Sequence, residues 1–303
     1  MTQPPTEGEP AAEQPADAPS SAEPATCYRH PDREAYVRCV RCERRICPDC
    51  MIPASVGFQC PECVKAGNRD VRQARTIFGG KVATDPGWVS KVLIAVNVVM
   101  YGLQLGVGRT FEHYLWLIGG PAFDPVVNEV VGVADGEYYR LLTAAFLHGG
   151  VVHLLLNMYA LYMFGPLLEG ALGRLRFTVL YLVSALGGSA VSYTFSSPAT
   201  PSLGASGAVF GLLGAFLVVN RRLGRDNSAI MVLLAINLGY GFLVPQIDWR
   251  AHLGGLVTGA LVAAAIAYAP SKHRLLVQTA GTVATLLVVL ALVLWRTADL
   301  GGL

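Results

Sequence analysis

From about residue 88 onward the chain is a succession of apolar runs, each close to the length that crosses a bilayer. About 20 consecutive apolar residues span the hydrocarbon core as a helix. Seven stretches approach that length: 88–107, 149–168, 175–195, 204–220, 228–244, 250–269 and 275–295. Hydrocarbon offers no partner for backbone N–H and C=O groups, so each stretch is expected to satisfy its own by forming a helix. Charged residues make up 15% of the chain, against about 25% in ordinary soluble domains. The fold class expected is an all-α membrane protein. The fourth and fifth runs are short and rich in small residues, which suits helices enclosed by their neighbours.

Basic residues in the connections set the expected orientation. With a cytosolic N-terminus, the inner loops carry Arg174 and Arg176, then Arg221, Arg222 and Arg225, then Lys272 and Arg274. The outer connections carry only Arg109, Arg140 and Arg250. The expectation is a multi-pass protein of the cell membrane with its N-terminus inside and its C-terminus outside. The first outer connection, residues 108–148, contains FEHYLWLIGG, too short and polar to span, and reads as an interfacial or re-entrant element. The net charge of +2 points to no particular partner, and no nucleic acid is expected.

Ahead of the apolar region three segments differ in composition. Residues 1–26 are rich in Pro, Ala and Glu without Lys or Arg, and read as a disordered tail. They lack the basic start and apolar core of a secretory signal. Residues 64–87 read as a basic linker. Between them, residues 27–63 hold all seven cysteines in four chelating pairs: Cys27 with His30, Cys39 with Cys42, Cys47 with Cys50, and Cys60 with Cys63. Seven thiolates and one imidazole are eight ligands, enough for two tetrahedral zinc ions. Disulfides would leave one cysteine over and need an oxidising compartment, and a redox dithiol needs one pair rather than four. A crossed pairing, first with third and second with fourth, is preferred to a sequential one. The segment resembles B-box-type and related cross-braced zinc fingers in ligand spacing. Closed ligand sets imply a structural role, with a cytosolic protein partner as the expected use of the module.

Four polar side chains lie inside the apolar runs. His153 and Asn157 are in the second, Ser206 in the fourth and His252 in the sixth. These three spans run in the same direction, and each residue lies within about two turns of its span's outer end at ~1.5 Å per residue. All four therefore fall at a similar depth. His153 and Asn157 are four apart and share a helix face. Gly207-x-x-x-Gly211 and Gly255-x-x-x-Gly259 are small-residue ridges that let helix backbones meet. If the fourth and sixth spans pack through them, Ser206 faces His252. A lone serine in a glycine-rich span is usually packing, and a lone asparagine often bonds a neighbouring helix; the convergence of all four at one level favours chemistry. A hydroxyl needs a base, the base must protonate the leaving amine, and an oxyanion needs donors. His252 supplies the base, and His153, Asn157 and the backbone N–H of Ser206 can supply the donors. Asp248 is expected at the water interface, so a Ser206–His252 dyad is favoured over a triad.

In these residues the chain resembles the rhomboid family of intramembrane serine proteases. The matching pieces are HGGVVHLLLN (with His148, His153 and Asn157), GASG (Gly204–Gly207), AHLGGLVTG (Ala251–Gly259) and YYR (Tyr138–Arg140). The resemblance covers about residues 88–270. It implies a six-helix core, residues 88–270; the seventh run, within 271–303, matches a six-plus-one layout found in some members, and the small two-zinc domain at 27–63 lies outside the family core. It also implies cleavage of single-pass transmembrane proteins in or beside their membrane segment. Ser206 would be the nucleophile, His252 the base, and His153 and Asn157 the oxyanion donors. Where many bacterial members carry a tyrosine one turn after the serine, this chain has Phe210, whose ring can still stack but bears no hydroxyl. The alternatives are a catalytically silent rhomboid-like binder or chaperone, and a small-solute channel. A channel would place polar groups along the whole depth rather than at one end.

Overall fold

The computed structural model describes residues 25–70, 74–83 and 85–301. Most of the tail expected at 1–26 lies outside them. The chain divides between Gln73 and Ala74 into two compact units.

The first unit is built from two minimal hairpins and a helix. Strands β1 (Val37–Arg38) and β2 (Arg45–Ile46) pair antiparallel, as do β3 (Ile52–Pro53) and β4 (Phe58–Gln59), and helix α1 (Pro61–Asp70) follows. Among the described residues its buried cluster consists of Cys27, Cys39, Cys47, Cys50 and Cys60 with only Ala35 and Ile46 besides. Two apolar side chains are no core, so metal held by the cysteines is what could supply the order of this unit. The stretch expected as a linker, 64–87, is more structured than that. Helix α1 occupies its first part, and Thr76–Gly80 forms a tight turn with Phe78 buried in the second unit.

The second unit is helical. Its long helices are α2 (Trp88–Val107), α5 (Val151–Leu172), α6 (Arg174–Phe195), α9 (Trp249–Ala267) and α10 (Arg274–Asp299), all apolar and long enough to cross a bilayer. Helices α7 (Ser206–Arg222) and α8 (Ser228–Leu243) are shorter, 17 and 16 residues. At ~1.5 Å per residue α7 reaches only about 26 Å. It can be short because α6 and α9 enclose it, and it is the most enclosed element of the bundle. By contrast α8 buries only Leu234 and Gly241 and lies at the periphery. These elements make the protein a multi-pass membrane protein.

Contact between α7 and α9 is made by backbone. A methyl group added at Gly255 would overlap the Gly207 carbonyl, and one at Gly259 would overlap the Gly211 carbonyl. The two ridges thus interlock. Gly259→Ala is expected to destabilise the bundle by about 1–3 kcal/mol, because the opposing atoms are backbone and cannot swing aside. Gly239→Ala, where the space is open, is the control. Unfolding in mixed detergent micelles would measure both, and equal stability of the two variants would contradict the close packing.

Side chains also close the helix ends. Glu169 of α5 is fully buried and accepts from Val89 N–H, Ser90 N–H and Ser90 Oγ, each at 3.1 Å. It caps the start of α2, whose first N–H groups have no partner within their own helix. At the opposite end of α2, Gln104 donates to the His148 carbonyl at 3.0 Å and accepts from its N–H at 2.8 Å. The first connection holds helix α3 (Arg109–Leu115), a hairpin of β5 (Ala122–Asp124) and β6 (Glu129–Val131), and the short helix α4 (Arg140–Thr143). Arg140, fully buried, ties it together by donating to Glu137 at 2.7 Å and to the carbonyls of His113 and Trp116 at 2.7 and 3.1 Å.

Candidate active site and candidate metal centres

Ser206 is the first residue of α7, and the loop before it is fixed from three sides. Leu117 and Ser202 exchange both backbone hydrogen bonds at 2.9 and 2.8 Å. Gly204 N–H donates to the Ala144 carbonyl at 2.9 Å. Ser202 Oγ donates to Asp248 Oδ2 at 2.6 Å. Gly204 adopts φ +136°, and a Cβ there would lie 2.6 Å from His153 Cε1, 2.9 Å from His153 Nε2 and 3.6 Å from Ser206 Oγ. One missing side chain therefore leaves room for an imidazole and a hydroxyl to line the same space.

His252 sits on the first turn of α9, buried, and its ring stacks on Phe210 with centroids 4.1 Å apart and planes 11° from parallel. Phe210 is one turn beyond Ser206 on the same helix face. Gly207, next to Ser206, packs near the Ala251 carbonyl, next to His252. The starts of α7 and α9, which carry Ser206 and His252, thus approach each other across the seam. Among the described residues no hydrogen bond joins Ser206 to His252, and His252 Nδ1 is buried without a partner. His153 is half-buried, and its ring stands edge-on to that of buried His148 at 5.2 Å. Asn157 is buried one turn further and donates to the His153 carbonyl at 2.9 Å. The four polar residues read from the sequence are gathered at one end of the bundle.

Asp248 is not merely interfacial. It caps α9 by accepting from Ala251 N–H at 3.1 Å, and its other oxygen accepts from Ser202 and from Ser192 of α6. It orients the helix that carries His252, the loop that leads to Ser206 and the end of α6 at once. Nothing in the spacing of these residues signals that role, nor that of Leu117 or Gln104.

In the first unit the ligand atoms of Cys27, His30, Cys47 and Cys50 lie within 4.8 Å of one another, and so do those of Cys39, Cys42, Cys60 and Cys63. Each group joins pairs that alternate along the chain. Thiolates at about 2.3 Å from a tetrahedral zinc would be about 3.8 Å apart. Cys42 and Cys60 Sγ are 3.8 Å apart, and His30 Nδ1 lies 3.3 Å from Cys47 and 3.5 Å from Cys50. The donor sets fit a metal ion each. Burial alone would raise the Cys27 and Cys39 thiols, but nearby backbone N–H groups outweigh it and hold each at about 6. Each group thus already favours one thiolate, the form that binds metal. Arg44 donates to Cys42 at 3.3 Å and to Glu62 at 2.6 Å, placing a positive charge against the all-sulfur group.

Together these features define a class: a polytopic membrane protein whose helices gather a serine and histidines just inside one face of the bundle. The family described as the Rhomboid domain matches residues 135–269. The chain is 40% identical over 181 residues to the rhomboid protease GluP of Bacillus subtilis (strain 168), covering 58% of this chain and 34% of that protein. It is 36% identical over 202 residues to RHOMBOID-like protein 5 of Arabidopsis thaliana, 57% of this chain and 65% of the relative. It is 38% identical over 144 residues to YdcA of Bacillus subtilis (strain 168), 46% of this chain and 72% of the relative. The chain belongs to the rhomboid family, which includes proteins named as proteases.

Proposed function

We propose that the protein is an intramembrane serine endopeptidase that cleaves transmembrane proteins in or beside their membrane segment. The observation that supports this most is the stacking of His252 on Phe210, one turn from Ser206, across a glycine seam. Ser206 Oγ attacks the scissile carbonyl and passes its proton to His252. The carbonyl oxygen becomes an oxyanion that His153, Asn157 and the Ser206 backbone N–H receive. His252 then protonates the leaving amine as the C–N bond breaks, leaving an acyl ester on Ser206. A water molecule, deprotonated by His252, hydrolyses the ester and restores the serine. Phe210 orients the imidazole by its face alone.

The Arg-rich connections at the far ends of α5, α7 and α9 support an orientation with the site near the outer face and the first unit in the cytosol. In that compartment the two Cys/His groups would hold zinc as structural ions in a module that binds a cytosolic protein.

A fluorophosphonate probe tests the activated serine. Wild-type protein is expected to be labelled on Ser206, and His252→Ala to lose the label while keeping its thermal stability. Absence of labelling in the wild type would instead favour a silent binder of membrane proteins.

A further inference from the structure

A cavity of about 390 Å³ opens at the end of the bundle away from Ser206. Its walls are the last turns of α5 and α7, including Ala171, Phe216 and Val219, and its cover is the segment Arg75–Val82. Leu223 and Ile77 separate it from a smaller cavity of about 100 Å³ lined by Arg222 and Arg274. Among the described residues Arg75 and Arg225 are the charged ones that line the larger cavity, and no carboxylate does. Among the described residues neither takes part in an ion pair. Because α5 ends at Leu172 and α7 at Arg222, the cavity lies where the spans leave the hydrocarbon. It is apolar toward the bilayer and cationic at its rim. Ile77, Val82 and Leu167 keep much of their surface exposed around it, at 63%, 56% and 58%.

We infer that this cavity is a binding site for an anionic phospholipid of the surrounding leaflet, with the headgroup phosphate between Arg75 and Arg225 and acyl chain against Ala171, Phe216 and Val219. Guanidinium groups match phosphate oxygens in geometry and charge, and basic recesses between transmembrane helices suit anionic headgroups. A free phosphate would leave the apolar walls wet, whereas a lipid covers them. Its occupancy would fasten the Arg75–Val82 segment to α5 and α7.

The full chain, delipidated in a neutral detergent and titrated with phosphatidylglycerol or phosphatidylcholine, tests this by native mass spectrometry. The wild type is expected to prefer phosphatidylglycerol, and Arg75→Gln/Arg225→Gln to bind it about thirtyfold more weakly with unchanged thermal stability in phosphatidylcholine. Ala171→Leu, which narrows the cavity without altering charge, is expected to weaken phosphatidylglycerol as well. Equal affinity of wild type and the double arginine variant would overturn the assignment. So would displacement of the lipid by inorganic phosphate at equal concentration, which would mark a site for the free anion.

Discussion

Ser206→Ala is expected to abolish cleavage of a single-pass membrane reporter, leaving less than about 10⁻⁴ of the wild-type rate. The loss should be this large because in the proposed reaction the hydroxyl oxygen forms the covalent bond, and no neighbour can replace it. His252→Ala is expected to fall to the same floor, and the double variant no lower, since the two residues act as one device. Gel separation of reporter fragments, with the new terminus sequenced, reads the result. Neither substitution touches the glycine seam between α7 and α9, so helix content and unfolding in detergent should match the wild type. Measurable cleavage by Ser206→Ala, or losses that multiply in the double variant, would end the proposed chemistry.

The second large effect concerns the first unit. With Ala35 and Ile46 as its only buried apolar side chains besides cysteine among the described residues, it would have almost nothing but ligation to oppose chain entropy. Zinc in such segments contributes on the order of 10 kcal/mol of folding free energy. A chelator added to the full chain is expected to make residues 25–70 protease-sensitive while the helical bundle stays intact. Elemental analysis should find two zinc ions per chain before treatment, and one in Cys39→Ser. Acid should act as the chelator does, because protons compete for thiolates: metal is held at neutral pH and released as pH falls. A segment that stays protease-resistant without metal would refute this account.

Hydropathy carried most of the architecture. The first run, 88–107, coincides with Trp88–Val107, and the others agree to within a few residues, because lipid permits only one way of satisfying a buried backbone. The short fourth run was legible for a related reason: its glycines signalled close approach, and close approach enclosed it. What stayed hidden depends on partners distant in sequence. Glu169 lies 79 and 80 residues from the N–H groups it caps, and Ser192 lies 56 from Asp248. No local pattern distinguishes such a carboxylate from a solvated one. The hairpin at Ala122–Val131 was hidden too, since its strands are three residues each. The Cys and His groups that could hold metal were legible as spacing, and the crossed grouping preferred from the sequence is the one the coordinates show.

The turn ahead of α2 has a mechanical consequence. Gln278 of α10 donates to the carbonyls of Phe78 and Ile266 while accepting from Arg176 of α6, so a single amide links that turn to three helices. Glu169 clamps the start of α2 a few residues later. Tension arriving along the polypeptide from upstream would be shared among α5, α6, α9 and α10 at their near ends. The serine's surroundings, held by a separate set of bonds around Asp248, would not feel it.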